Sequence, residues 1–175
     1  ETDVVVAATG SVAGANGVSL TATTGDLTQA SGSLIDGGTG DVTLSAGTDA
    51  TIGQVKTAGA GTIGITAVAG RIDLNDAIEA ANGSIGVMAQ TALALASSAS
   101  VTATGVGGVS LTATTGDLTQ ASGSLIDGGT GNVTLSAGTD ATIGQVKTAG
   151  AGTIGITAVA GRIDLNDAIE AANGS

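Results

Sequence analysis

The sequence contains no cysteine, histidine, proline or aromatic residue. Without cysteine there are no disulfides, no thiolate catalysis and no thiolate metal ligands. Without histidine, the many serines and threonines cannot form a Ser-His-Asp system. Without proline or a strict three-residue glycine period, the 31 glycines do not describe collagen. Without aromatic rings nothing can stack on a sugar face, and any core must be aliphatic. Positive charge is scarce: four Lys and Arg against fifteen Asp and Glu give a net charge of -11. That balance disfavours nucleic acid as a partner and provides no basic patch for anionic lipid. It would keep long particles apart in solution. Long apolar runs are also missing. The stretch GVMAQTALALA, residues 86–96, is eleven residues long, whereas a membrane span needs about 20, so no membrane insertion is expected. The opening Glu1-Thr2-Asp3 is acidic, unlike the basic start of a secretory signal, so an exported parent would carry its signal upstream.

What is present is apolar and repetitive. Apolar residues make up 42% of the chain, including abundant Val, Ile and Leu, which disordered chains lack. Residues 17–84 return at 108–175, an offset of 91, with one change in 68 positions, Asp41 to Asn132. Both ends fall within the pattern, so residues 1–175 read as one segment excised from a longer array.

A shorter period lies inside the long one. Segments beginning at Gly17, Asp41, Thr62, Ser84 and Gly108 share the order β-branched or apolar, polar or Gly, apolar, polar, Ala, and start 24, 21, 22 and 24 residues apart. This is period-two alternation. Each segment holds two further short apolar patches, such as Ile72 with Leu74 and then Ile78, separated by Gly, Asp and Asn turn signals. Three short strands and three corners per 21–24 residues predict an all-β fold, a three-sided parallel β-helix with one segment per coil. The expected stacked lining includes Val42, Leu44, Ile52, Ile63, Ile65, Ile72 and Leu74. Their repeat mates are Val133, Leu135, Ile143, Ile154, Ile156, Ile163 and Leu165. A β-sandwich would match the 91-residue offset but not the subperiod. Leucine-rich repeats need recurring Leu and Asn at fixed spacing, and no helical half is present here.

Aligning the coils puts Asp26, Asp49, Arg71 and Ala92 in one corner column, and predicts that Arg71 relieves Asp49 through a corner salt bridge, as Arg162 does Asp140. The densest acidic set is Asp73, Asp76 and Glu79, repeated as Asp164, Asp167 and Glu170. Their oxygens suit a hard cation such as calcium, but the spacing is not that of an EF-hand, and a solvated acidic turn is the plainer reading. No cofactor is expected. Paired carboxylates could also suggest glycoside cleavage, yet Lys56, Arg71, Lys147 and Arg162 are the only positively charged side chains, and the near-identical repeats lack the asymmetry of one active cleft. The Gly-rich stretch 37–40 is not followed by Lys-Ser or Lys-Thr, so it is not a phosphate loop. No enzyme activity is therefore expected. A Thr-rich flat face raises ice binding, but the outward series Ser19/Thr21, Thr43/Ser45, Gly64/Thr66, Gly86/Met88 decays along the rod.

The motif G-D/N-V-T-L-S-A-G-T-D-A-T-I, at 40–52 and 131–143 and closest over 41–52 and 132–143, resembles the filamentous haemagglutinin repeats of large bacterial two-partner secretion exoproteins. SLTATTGDL (19–27) and ITAVAGRIDL (65–74) are similar. The resemblance implies a right-handed β-helix exported through an outer-membrane secretion partner. It further implies a rod that is secreted or displayed at the bacterial surface or in the extracellular matrix. Family members act in adhesion, biofilm formation or contact-dependent inhibition. The family's amino-terminal secretion domain carries Asn-Pro motifs, which this proline-free stretch lacks, and any host or matrix glycan would be met by regions not present. The expected role is thus a structural stalk or fibre, with a carbohydrate- or ice-binding module as the alternative and a polysaccharide-processing enzyme as a remote one. Open β-helix ends invite pairing unless capped, and no capping segment is visible at Glu1 or Ser175. End-to-end self-association is expected.

Overall fold

The structure is a computed structural model that describes residues 2–174; Glu1 and Ser175, the positions named for a missing cap, lie outside the described residues. Among the described residues the chain winds through 23 short strands as a right-handed three-sided solenoid. The first sheet stacks Val4–Val6, Leu27–Gln29, Ala50–Ile52, Ile72–Leu74, Leu93–Leu95, Leu118–Gln120, Ala141–Ile143 and Ile163–Leu165. The second stacks Ser11–Ala13, Leu34–Asp36, Gln54–Thr57, Ala77–Ala80, Ser100–Ala103, Leu125–Asp127, Gln145–Thr148 and Ile169–Ala171. The third stacks Val18–Ala22, Val42–Ala46, Ile63–Ala67, Ile85–Ala89, Val109–Ala113, Val133–Ala137 and Ile154–Ala158. All strand pairs are parallel, and the one isolated antiparallel bridge among the described residues joins Asn16 to Gly38. The sandwich alternative is excluded, because consecutive strands enter different sheets rather than pairing with each other.

Period-two alternation sorts the side chains. On the third sheet, one inward row is Val18, Val42, Ile63, Ile85, Val109, Val133 and Ile154. A second inward row runs Leu20, Leu44, Ile65, Val87, Leu111, Leu135 and Ile156, and a third is alanine in all seven strands. Each side chain meets a similar shape above and below, so a core without rings packs by repetition. Each large buried aliphatic side chain contributes about 1.5–3 kcal/mol, and the total grows with the number of coil interfaces.

The expected lining is found, with one correction. Val42, Leu44, Ile52, Ile63, Ile65, Ile72 and Leu74 are buried, as are Val133, Leu135 and Ile143. Ile154 and Ile156 are half-buried, and Ile163 and Leu165 are 43% and 55% exposed. The cause is position: the strand Ile163–Leu165 has a neighbour on one side only, Ala141–Ile143. The identical Ile72 and Leu74 lie between two strands and are 0% exposed.

One glycine per coil is required by close approach. A Cβ on Gly61 would lie 2.1 Å from the Gly40 carbonyl oxygen, and one on Gly83 would lie 1.9 Å from that of Gly61. Gly152 and Gly174 repeat the contact. At this corner the backbone of one coil occupies the space a side chain on the next would need.

Candidate functional site

The most organised charge lies on the outer face of the second sheet. Asp36, Lys56, Glu79, Thr102, Asp127, Lys147 and Glu170 form one row in strict register. Lys56 Nζ sits 3.2 Å from Asp36 Oδ2, and Lys147 Nζ sits 3.1 Å from Asp127 Oδ2. Both pairs are partly exposed, so each is worth about 0–1 kcal/mol. Each Asp is held by its own turn. Asp36 Oδ1 accepts the Gly38 N–H at 2.9 Å, and Gly38 has φ +58°, a left-handed conformation that glycine adopts freely. That N–H, followed by Lys56, holds the Asp36 carboxyl below the usual carboxylate range despite its partial burial. Asp127 and Gly129 repeat the turn.

Beside this row are two open grooves related by the 91-residue repeat. One, of about 320 Å³, is lined by residues including Asp36, Lys56, Thr57, Glu79 and Thr104. The other, of about 510 Å³, is lined by residues including Asp127, Lys147, Thr148 and Glu170. Each presents carboxylate acceptors and one ammonium donor. The hydroxyls of Thr57 and Thr148 are already committed, donating at 3.0 Å to the carbonyls of Gly61 and Gly152. This row was missed in the sequence, although Asp36, Lys56 and Glu79 stand at equivalent outward positions of the aligned third patches.

The candidate calcium ligands do not converge. Asp73 lies on the first sheet, where the Arg71 guanidinium binds it. Asp76 sits at the corner and accepts the Ala77 N–H at 2.9 Å. Glu79 belongs to the second-sheet row. In the other repeat, Arg162 Nε is 2.8 Å from Asp164, Asp167 accepts the Ala168 N–H at 2.8 Å, and Glu170 stands beside Lys147 in the row. Among the described residues no group of three or more acidic side chains is placed to hold a metal ion. Neighbours in sequence lie on different faces here, so a dense acidic run is dispersed around the corner.

The corner column is found, but with different chemistry. Asp3 Oδ1 accepts the Asp26 N–H, Asp26 Oδ1 accepts the Asp49 N–H, and Asp49 Oδ1 accepts the Arg71 N–H, at 3.0, 3.0 and 2.9 Å. Each carboxylate thus caps the backbone of the next coil. The predicted Asp49–Arg71 salt bridge is replaced by this bond, and the Arg71 side chain turns to Asp73, which raises its pKa further. Asp117, Asp140 and Arg162 repeat the ladder. A second ladder explains the one substitution between repeats. Asp41 Oδ1 accepts the Thr62 N–H at 2.7 Å, and Asn132 Oδ1 accepts the Thr153 N–H at 2.9 Å. An amide oxygen serves as well as a carboxylate there.

The ladder carries a pH dependence. The Thr48 hydroxyl, then the Asp49 N–H, lowers the pKa of Asp26; Thr139 and Asp140 do the same for Asp117. A depressed folded pKa gives a contribution fully present above the unfolded value, about 3.9, and lost as pH falls through the folded value. The melting temperature is therefore expected to be flat from about pH 7 to 5 and to fall below about pH 4. The double variant Asp26→Asn, Asp117→Asn should show a shallower acid decline in thermal melts followed by circular dichroism. An acid limb identical to that of the parent would remove these carboxylates from the account.

A further group was missed in the sequence because it faces inward. Gln29 and Gln120 are 1% and 3% exposed. The Gln29 amide nitrogen donates to the Ser33 and Gln54 carbonyls at 3.2 and 2.8 Å, and its oxygen accepts the Gly53 N–H at 3.1 Å. Gln120 does the same with Ser124, Gln145 and Gly144. Each amide closes a corner from within. The cue was a Gln at the inward position of the strand LTQ. Comparison with protein-family models, with curated proteins and with solved structures returns no match to this chain.

Proposed function

We propose that this chain is the structural rod of a secreted or surface-displayed bacterial exoprotein of the filamentous haemagglutinin type, in which repeat number sets length. The supporting observation is continuity. The inward rows run from Val18 to Ile154 without a break in register, so added coils extend one axis and leave the cross-section unchanged. Net charge of -11 and small outward side chains suit a particle that must stay dispersed. In this reading an outer-membrane partner exports the parent protein, adhesion to host or matrix glycans belongs to other regions, and the segment itself catalyses no reaction. A chain with one extra 91-residue unit adds four coils, and small-angle X-ray scattering should show a rod longer by about 19 Å with the same cross-section. A thicker particle of unchanged length would refute the rod.

A second reading has one observation in its favour. The outer rows of the third sheet contain only Ser, Thr, Gly and Met88, with no charge, on a face seven strands long. Such a face suits an ordered hydroxylated or frozen surface, although Met88, 51% exposed, interrupts it. Thermal hysteresis, or sedimentation with an insoluble polysaccharide, would favour this module over a spacer.

A further inference from the structure

The outer face of the third sheet carries a knob and a notch that the packing of the coils does not require. In most coils both outward positions hold Ser or Thr, as in Thr43 with Ser45 and Ser110 with Thr112. The strand Ile85–Ala89, in the middle of the sheet, departs at both: Gly86 stands in one row and Met88 in the other. Glycine is not needed there for space. A Cβ on Gly86 would meet nothing within 4 Å, and one on its neighbour Gly64 would meet only the Val42 carbonyl oxygen, at 4.0 Å. The contrast is with Gly61 and Gly83, where the next coil's backbone excludes a side chain. A glycine inside a strand weakens it and marks the close approach of another body. Met88 is the one methionine of the chain and is 51% exposed.

We propose that two copies of the chain pair side by side through this face, parallel and in coil register, with Met88 of each seated over Gly86 of the other. This rests on the rod reading and adds how rods associate. A two-fold axis parallel to the rod, midway between the two outward rows, sets one row of each copy against the other row of its mate. The interface is then isologous, and every contact is made twice. Met88 meets Gly86, and Thr66 meets Gly64 one coil away. Elsewhere Thr43 meets Ser45 and Ser110 meets Thr112, small hydroxyl side chains on both sides. Antiparallel rods would set each row against itself, so that Met88 never reached Gly86. Met88, which interrupts this face as a platform for an ordered surface, is here the residue that sets the register.

Charge selects the same face. Every charged residue within the described strands lies on the first or second sheet, so two chains of net charge -11 repel least across the third. At its border Asp41 faces Gly47 of the other copy, and like charges are not opposed. Seven strands of five residues cover about 29 Å by about 16 Å. That is about 450 Å² per copy, against about 800 Å² in a standard interface. Pairing of the 175-residue chain is therefore weak, and each further 91-residue unit adds four strands to the same seam.

Sedimentation equilibrium, with small-angle X-ray scattering on the same samples, tests this. The 175-residue chain should dimerise at high concentration into a thicker particle of unchanged length. A chain with two added 91-residue units should dimerise at concentrations about 10²-fold lower. Gly86→Thr supplies the residue that Thr43 and Thr134 already place in this row, so the fold and melting temperature by circular dichroism should be kept. Its self-association should nevertheless weaken about tenfold or more, because the notch is filled. Gly86→Met sets two methionines against each other and should do the same. Combining Gly86→Met with Met88→Gly exchanges knob and notch and should restore pairing. Self-association unchanged by Gly86→Thr, or complexes that grow in length and not in width, would overturn the pairing. Failure of the exchange to rescue it would overturn the register. A lengthened chain that stays monomeric at high concentration would also overturn the pairing, while its scattering as a longer single rod would leave the rod reading intact.

Discussion

Leu74→Ala is expected to cost about 2–5 kcal/mol, the usual range for a buried Leu truncation, whereas Leu165→Ala costs less than about 1 kcal/mol. The two leucines stand in identical sequence, IDL within RIDLNDAIE, so composition, propensity and unfolded-state effects cancel. What differs is the coil above: Leu95 lies on Leu74, and Leu165 is 55% exposed. Denaturant melts at dilute, monomeric concentration make the comparison. Equal costs would mean that stacking between coils is not what stabilises the rod. A larger cost at Leu165 than at Leu74 would contradict the burial directly.

The second large effect concerns an inward polar residue. Gln29→Leu keeps the volume apolar but strips partners from the Gly53 N–H and from the Ser33 and Gln54 carbonyls. Each unsatisfied buried group costs about 1–3 kcal/mol, so the total should exceed the cost of most surface changes several-fold. Gln120→Leu should match it, because the environment is the same. The sites lie four coils apart, about 19 Å, so the double variant should be additive within about 0.5 kcal/mol. A stabilised Gln29→Leu variant would show that the corners hold without the internal amide.

How much of this was legible in the sequence depends on which force placed the residue. The coils and their inward rows were, because alternation of Val, Ile, Leu and Ala with Ser, Thr and Gly reports burial directly. The column through Asp26, Asp49 and Arg71 was legible from the subperiod alone. Its chemistry was not, because opposite charges suggested a salt bridge while the nearer partner was a backbone N–H. The acidic run at Asp73, Asp76 and Glu79 offered calcium only as the second reading beside a solvated turn, and it does not converge because a corner separates residues that are close in sequence. Gln29 was not legible, because a polar side chain in a three-residue strand carries no burial signal of its own. The charged row through Lys56 was within reach, since Asp36, Lys56 and Glu79 each follow the apolar residue of an aligned third patch, but coils of unequal length, 24 and 21 residues, obscured the register.

The measurement that tests the central account most directly is a set of spin-label distances along one outward row. The chain has no cysteine, so labels can be placed cleanly by substitution at Ser19, Ser110 and Thr134, which share a row on the third sheet. Stacked coils predict a Ser19–Ser110 backbone separation of about 19 Å and a Ser19–Thr134 separation of about 24 Å, one strand spacing further. Pulsed dipolar spectroscopy that finds this step supports a solenoid whose length counts its coils. Separations that do not increase by about one strand spacing per coil would contradict it.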